Sequence, residues 1–168
     1  MNLYLILSRL LDYPSQELYD NLGQIEALIT DIDDAEKSTI MSLVNWMGGQ
    51  DITSLQGTYV NTFDMKPEHD LHLTHHLFGD ENGRGPALID LAEHYKASGL
   101  QHIDNEIPDF LPLILEYVST LDKFQARVFL ADAAKVLKVI ADNLAKAQSP
   151  YAGILRLIEN RGYLAEAA

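Results

Sequence analysis

Apolar residues recur at helical spacing along almost the whole chain, and no stretch sustains the alternation of a half-buried strand. Stop signals interrupt that spacing at short intervals. Together they restrict the fold to an all-α, single-domain bundle over 1–168, with roughly eight to ten helices joined by short loops. Leu3, Ile6, Leu7, Leu10 and Leu11 share one face, and Pro14 ends that helix. Ser15 is placed to cap the next, which is expected to bury Leu18, Leu22, Ile25, Leu28 and Ile29. A third helix runs from Asp33-Asp34 to the stop at Gly48-Gly49. Asp51 opens a fourth that ends at Phe63-Asp64, and a short histidine-rich helix over 68–78 is closed by Gly79. Pro86 suits the first turn of a helix reaching Ser98, with Gly99 as its stop. Asp122 caps a long Ala- and Leu-rich segment; one helix fits, as do two broken near Leu130–Asp132. A last helix starts at Ser149-Pro150 and is expected to stop at Gly162.

Charge excludes several function classes. Acidic and basic residues number 9 and 2 in 1–56, 12 and 3 in 57–122, and 4 and 7 in 123–168, for a net charge of −13. Such a field repels nucleic acid and anionic lipid and favours a basic partner. Without cysteine there is no disulfide, thiolate metal site or Cys nucleophile. The start MNLYLILSRLLDYP has neither the basic region nor the cleavage site of a signal peptide, and no later segment approaches a membrane span. A cytoplasmic protein without stable membrane association is the expectation.

The stretch EIPDFLPLILEYV, residues 106–118, stands out. With Asp109 as N-cap of a helix to about Leu121, Pro112 falls in the first turn, where no intrahelical N–H is required. Phe110, Leu111, Ile114, Leu115, Tyr117, Val118 and Leu121 make the helix apolar nearly all round, as for a central helix. Asp109 and Glu116 then lie on one face, about 10 Å apart. That reads as a narrow exposed stripe of carboxylate, proline and carboxylate beside Leu113. The competing reading makes Asp109 an ordinary cap and pairs Glu116 with Arg84 or Arg127.

His72, His75 and His76 share helical spacing, so His72 and His76 are weak metal candidates, but three convergent ligands are not apparent and no metal or other cofactor is expected. The turn GDENGRG lacks the strand before it and the Lys-Ser/Thr pair of a phosphate loop. A metal- or nucleotide-responsive regulatory domain is therefore the alternative reading. An enzyme using Asp109 and Glu116 as acid and base is a third; no nucleophile motif accompanies them.

Taken in order, Tyr59-x-x-x-Phe63-Asp64, LTHHLFGDENGRGPALIDL, Tyr95, Gly99-Leu100 and EIPDFLPLILEYVSTL resemble the NarJ-type nitrate reductase assembly chaperones, within the wider TorD/DmsD group of molybdoenzyme maturation factors. LILSRLLDYPSQELYDNL and Ser149-Pro150-Tyr151-Ala152 fit as well, so the resemblance covers nearly the whole chain. It implies a non-enzymatic, cytoplasmic helical chaperone. Such a protein binds the N-terminal leader of a nitrate reductase catalytic subunit and holds it until the molybdenum cofactor and an iron–sulfur centre are inserted. Cofactor-delivery proteins are further implied partners, and the expected state is a monomer, with a domain-swapped dimer as the alternative.

The family's signature positions fall on Asp64, His76, Gly79, Asp80, Arg84, Gly85, Glu106, Pro108, Asp109, Leu111, Pro112, Glu116 and Tyr117. With Leu113 from the stripe, the expected peptide-binding set is Asp64, His76, Arg84, Glu106, Pro108, Asp109, Pro112, Leu113, Glu116 and Tyr117. Two positions depart from the family pattern: Phe110 stands where His often follows the Pro-Asp pair, and Thr74-His75 replace Phe-Glu ahead of His76.

Overall fold

In the computed structural model, which describes residues 2–78, 83–100 and 106–167, α-helices make up nearly all the regular structure. They are α1 (Leu3–Leu11), α2 (Gln16–Asn21), α3 (Ile25–Leu28), α4 (Asp34–Gly48), α5 (Ile52–Tyr59), α6 (Leu73–Phe78), α7 (Arg84–Ala97), α8 (Leu111–Val118), α9 (Lys123–Lys146) and α10 (Ala152–Ala167). No β-strand occurs among the described residues; a lone antiparallel bridge joins His72 to Phe110. None of the described helices is long and apolar enough to cross a membrane.

Side-chain caps set several helix starts. The side chains of Ser15, Asp33, Asp51 and Asp122 accept from the N–H groups of Leu18, Glu36, Ser54 and Gln125, satisfying donors that the first turn leaves free. Gly99 ends the α7 region at φ +83°, a left-handed conformation that costs a side-chain-bearing residue far more.

Several expectations are corrected. The segment after Ser15 breaks into α2, a 3-10 turn at Leu22–Gln24 and α3, and Leu28 is 36% exposed rather than buried. The fourth helical run does end at Phe63-Asp64, but its last five residues, Val60–Asp64, widen into a π-helical turn that turns Phe63 onto Tyr59 and Tyr151. The histidine-rich stretch is a 3-10 turn at Pro67–His69 followed by α6. The expected stop at Gly79 lies outside the described residues, as does Asp80. The α9 segment is one helix, and α10 runs on past Gly162.

Two helix pairings build one continuous core. In one, α9 and α10 lie antiparallel, with α4 crossing α10: Arg161 donates to both carboxylate oxygens of Glu36 at 2.9 and 2.7 Å and lies over the Tyr4 ring. In the other, α1 runs antiparallel to α8. Asn2 donates to the Ser119 carbonyl at one end, and buried Ser8 donates to the Pro112 carbonyl at 2.6 Å at the other. The C-terminal end of α1 therefore meets the N-terminal end of α8.

Trp46, Tyr59, Phe63 and Tyr151 form an aromatic cluster, with ring centroids 4.8–6.1 Å apart. The Tyr151 hydroxyl is fully buried and finds no partner among the described residues. Burial pushes its pKa up. An unsatisfied buried hydroxyl is a net cost, so Tyr151→Phe is expected to raise stability by about 1 kcal/mol. A higher thermal midpoint would show it; a lower one would reveal a partner for that oxygen.

Candidate functional site

Two segments far apart in sequence, 71–73 and 109–111, are clipped together by backbone hydrogen bonds. Leu73 N–H donates to the Asp109 carbonyl at 3.1 Å, and Leu111 N–H donates to the Leu71 carbonyl at 2.9 Å. Leu111 N–H is thereby satisfied without a side-chain cap, and Phe110 rather than Asp109 is the N-cap of α8. Pro112 is the second helical residue, where its missing N–H is harmless.

Asp109 does cap a helix, but a different one. Its Oδ2 accepts from the Thr74 N–H at 2.8 Å and from the Thr74 hydroxyl, in the first turn of α6. The Thr74 hydroxyl in turn accepts from Arg84 Nε at 2.9 Å, which ties α7 to the same point. Asp109 is 0% exposed, and its Oδ1 has no partner among the described residues. The expected outward-facing carboxylate at the head of α8 is thus corrected. Two clipped segments leave Asp109 facing inward, and Thr74, a departure from the family pattern, is its partner.

A groove nevertheless opens beside it, where α1 meets the start of α8. Glu106, Phe110, Pro112, Leu113 and Glu116 form one wall, and Ser8 and Arg9 of α1 with its C-cap Asp12 form the other, around about 190 Å³. Pro112, buried rather than exposed as the expected stripe required, and the half-buried Leu113 give it an apolar base, while Glu106, Glu116 and Asp12 set carboxylates along it with Arg9 as the facing cation. The Asp12 carboxyl is partly desolvated against the wall, and this, reinforced by the like charge of Glu106, raises its pKa against the opposing hydrogen bond from Tyr13 N–H. The pKa of the Tyr59 phenol, whose hydroxyl donates to the Leu11 carbonyl, is raised by burial and then by Asp12, Tyr151, Asp64 and Glu106.

Glu106 is held by His72. The His72 ring lies between Asp70 Oδ1, 2.7 Å from Nδ1, and Glu106 Oε1, 2.9 Å from Nε2, and stacks on Phe110 with centroids 5.0 Å apart. Two carboxylates require both ring nitrogens to donate, so the ring is a cation. Burial opposes that charge, but the hydrogen bonds to Asp70 and Glu106 outweigh it and push the pKa up to about 9. His76 Nε2 donates to the Asp70 carbonyl at 2.6 Å, so both histidines hold the 70–76 segment together. Among the described residues, no group of three or more His, Cys, Asp or Glu converges on a metal position.

Of the sequence-predicted residues, the fold brings Glu106, Pro112, Leu113 and Glu116 into one groove. Glu116 makes no ion pair with Arg84 or Arg127 among the described residues and lines the groove instead. Asp64 is exposed on the π-helical turn, away from the groove lining. His76 and Arg84 brace the 70–76 segment, and Pro108 offers its carbonyl to the Tyr95 hydroxyl. Tyr117 is buried between Tyr95 and Phe129. The wall contributed by α1 was missed entirely. Arg9 and Asp12 were legible only as polar interruptions, three residues apart, of an otherwise apolar opening helix.

The profile of the nitrate reductase delta subunit family matches residues 29–156. The chain belongs to that family. Over 158 residues it is 32% identical to the nitrate reductase molybdenum cofactor assembly chaperone NarJ of Escherichia coli (strain K12), a match covering 91% of this chain and 66% of NarJ. The chain thus spans just under two thirds of that relative's length. It is 29% identical over 153 residues to the probable nitrate reductase molybdenum cofactor assembly chaperone NarJ of Bacillus subtilis (strain 168), covering 90% of this chain and 83% of that protein. It is also 30% identical over 145 residues to the nitrate reductase-like protein NarX of Mycobacterium tuberculosis (strain ATCC 25618 / H37Rv), covering 86% of this chain and 22% of NarX. The family match spans α4 to α9, while the NarJ alignments cover most of the chain.

Proposed function

We propose that this protein is a cytoplasmic assembly chaperone for a respiratory nitrate reductase. It binds the N-terminal segment of the apo catalytic subunit and keeps the subunit receptive until molybdenum cofactor and iron–sulfur insertion are complete. The cofactor is cargo of the client, not a resident group of this chain. Family membership and the likeness to the assembly chaperone NarJ support the chaperone role. The observation that carries the peptide-binding part is the groove between α1 and α8, with an apolar base at Pro112 and Leu113 and carboxylates at Asp12, Glu106 and Glu116.

Such a trough fits a short amphipathic helix with basic residues on its flank. Apolar client side chains would supply most of the affinity, at roughly 1.5–3 kcal/mol for each one fully buried. The rim ion pairs contribute about 0–1 kcal/mol each and act more on partner choice and encounter rate.

Calorimetry with a peptide from the catalytic subunit's N-terminus tests this. The wild-type chain should bind it saturably. The Glu106→Gln/Glu116→Gln double variant should bind about three- to tenfold more weakly at low ionic strength, the difference shrinking as salt screens the lost charges. An equal Kd at low salt would remove both carboxylates from the site; no wild-type binding would sink the peptide-binding reading itself.

A further inference from the structure

The groove has a neighbour on the other flank of α1. Between α1 and the α2–α3 segment lies a depression of about 480 Å³, walled by Ile6, Tyr13, Leu18, Ile25 and Leu28. Its size falls within the range of ligand-sized clefts, roughly 300–1,000 Å³, whereas the acidic groove at about 190 Å³ falls below it. Arg9 and Asp12 line both. Arg9, in the last turn of α1, and Asp12, its C-cap, are both exposed. The two hollows thus flank the same exposed pair, Arg9 and Asp12, at the C-terminal end of α1.

Two further observations indicate what would fill it. Leu28 and Tyr13 stand at the larger hollow with 36% and 50% of their surface in water, so it presents apolar walls without an apolar occupant. Across both hollows the described lining carries Asp12, Glu17, Glu106 and Glu116 against Arg9, and even with Glu106 paired to His72 the balance is acidic, which favours a cationic segment. An occupant restricted to the smaller hollow could satisfy the carboxylates but bury little apolar surface.

We infer that the α1–α3 hollow is the apolar seat of the client segment bound at the acidic groove. The segment lies as a helix across Arg9 and Asp12. It sets a Lys or Arg at Glu106 and Glu116 and a large aliphatic or aromatic side chain against Leu18, Ile25 and Leu28. Crossing one helix means spanning about 10–12 Å, and at 1.5 Å per residue the two anchors lie about seven positions apart on one face of the client. The larger hollow thereby selects for an apolar anchor at a fixed distance from a basic one. This rests on the peptide-binding reading above.

Calorimetry with the full chain and a peptide from the N-terminus of a nitrate reductase catalytic subunit separates the two ideas. Gln24→Trp fills the hollow from an exposed position, and Leu28→Glu makes its mouth polar; neither residue is in the buried core. Each should weaken wild-type peptide binding by tenfold or more, with a loss that persists at high salt. Replacing the peptide's apolar residue about seven positions from its key basic residue by Ala should weaken wild-type binding similarly. That change should cost little more when the chain already carries Leu28→Glu, because both remove the same contact. Wild-type binding with unchanged affinity for both variants would overturn the second seat and leave the acidic groove intact. Failure of the peptide to bind the wild-type chain would overturn both.

Discussion

Asp109→Ala is expected to destabilise the fold by roughly 3 kcal/mol, with an effect that salt does not relieve. The carboxylate receives both the backbone N–H and the hydroxyl of Thr74 in the first turn of α6, from a position with no solvent exposure. Truncation leaves a buried N–H without an acceptor, and water cannot reach it to compensate. The Arg84–Thr74 bond that fastens α7 to the same point loses its support as well. Asp109→Asn keeps one acceptor oxygen and should lose less. Urea unfolding followed by circular dichroism reads both. If the alanine variant unfolds at the wild-type midpoint while client peptide binding disappears in a salt-dependent way, Asp109 belongs to the groove surface after all. The contrast with Glu116 is the useful part: that side chain reaches the groove and makes no ion pair among the described residues, so its loss should appear in binding and hardly in stability, whereas loss of Glu106 also removes a partner of His72.

Gly162→Ala should be of similar size, for a steric reason. A Cβ built on Gly162 would stand 2.7 Å from the Leu130 carbonyl oxygen, 2.9 Å from its carbon and 3.0 Å from Ala131 N. All three atoms are backbone of α9, so no side-chain rotation relieves the contact, and α10 must move away from α9. Overpacking of this kind costs about 1–3 kcal/mol, and a wholly backbone contact places Gly162 at the upper end. Gly57, mid-helix in α5 with nothing within 4 Å of an added Cβ, is the control. There alanine should be neutral or mildly stabilising, because it only lowers the freedom of the unfolded chain. Thermal unfolding of the pair checks the argument; equal midpoints would mean that the α9–α10 crossing has slack.

These two positions also show where the sequence could mislead. Glycine after a run of helical spacing reads as a stop, and at Gly99 it is one. At Gly162 the same residue is required by a helix that approaches from elsewhere in the chain, which no local pattern records. Asp109 before an apolar run reads as an N-cap of that run. It caps α6 instead, because the antiparallel clip between 71–73 and 109–111 turns it inward. Leu28 sits at core-facing spacing, yet the 3-10 turn at Leu22–Gln24 shifts the phase and leaves it at the mouth of a hollow.

What the sequence determined by itself were properties with a local cause. Helical periodicity, the caps at Ser15, Asp33, Asp51 and Asp122, and the prolines and glycines between them dictated an all-α chain, because each acts within a turn or two of itself. The acid excess over the first 122 residues pointed to a cationic partner, since net charge needs no coordinates. Only the tertiary structure decided which carboxylates face water and what stands opposite them. The second wall of the groove comes from α1, about a hundred residues from Glu106, and is brought there by Ser8 bonding the Pro112 carbonyl. Contacts between elements so far apart depend on how whole helices pack, and packing is a property of the assembled core rather than of any segment in it.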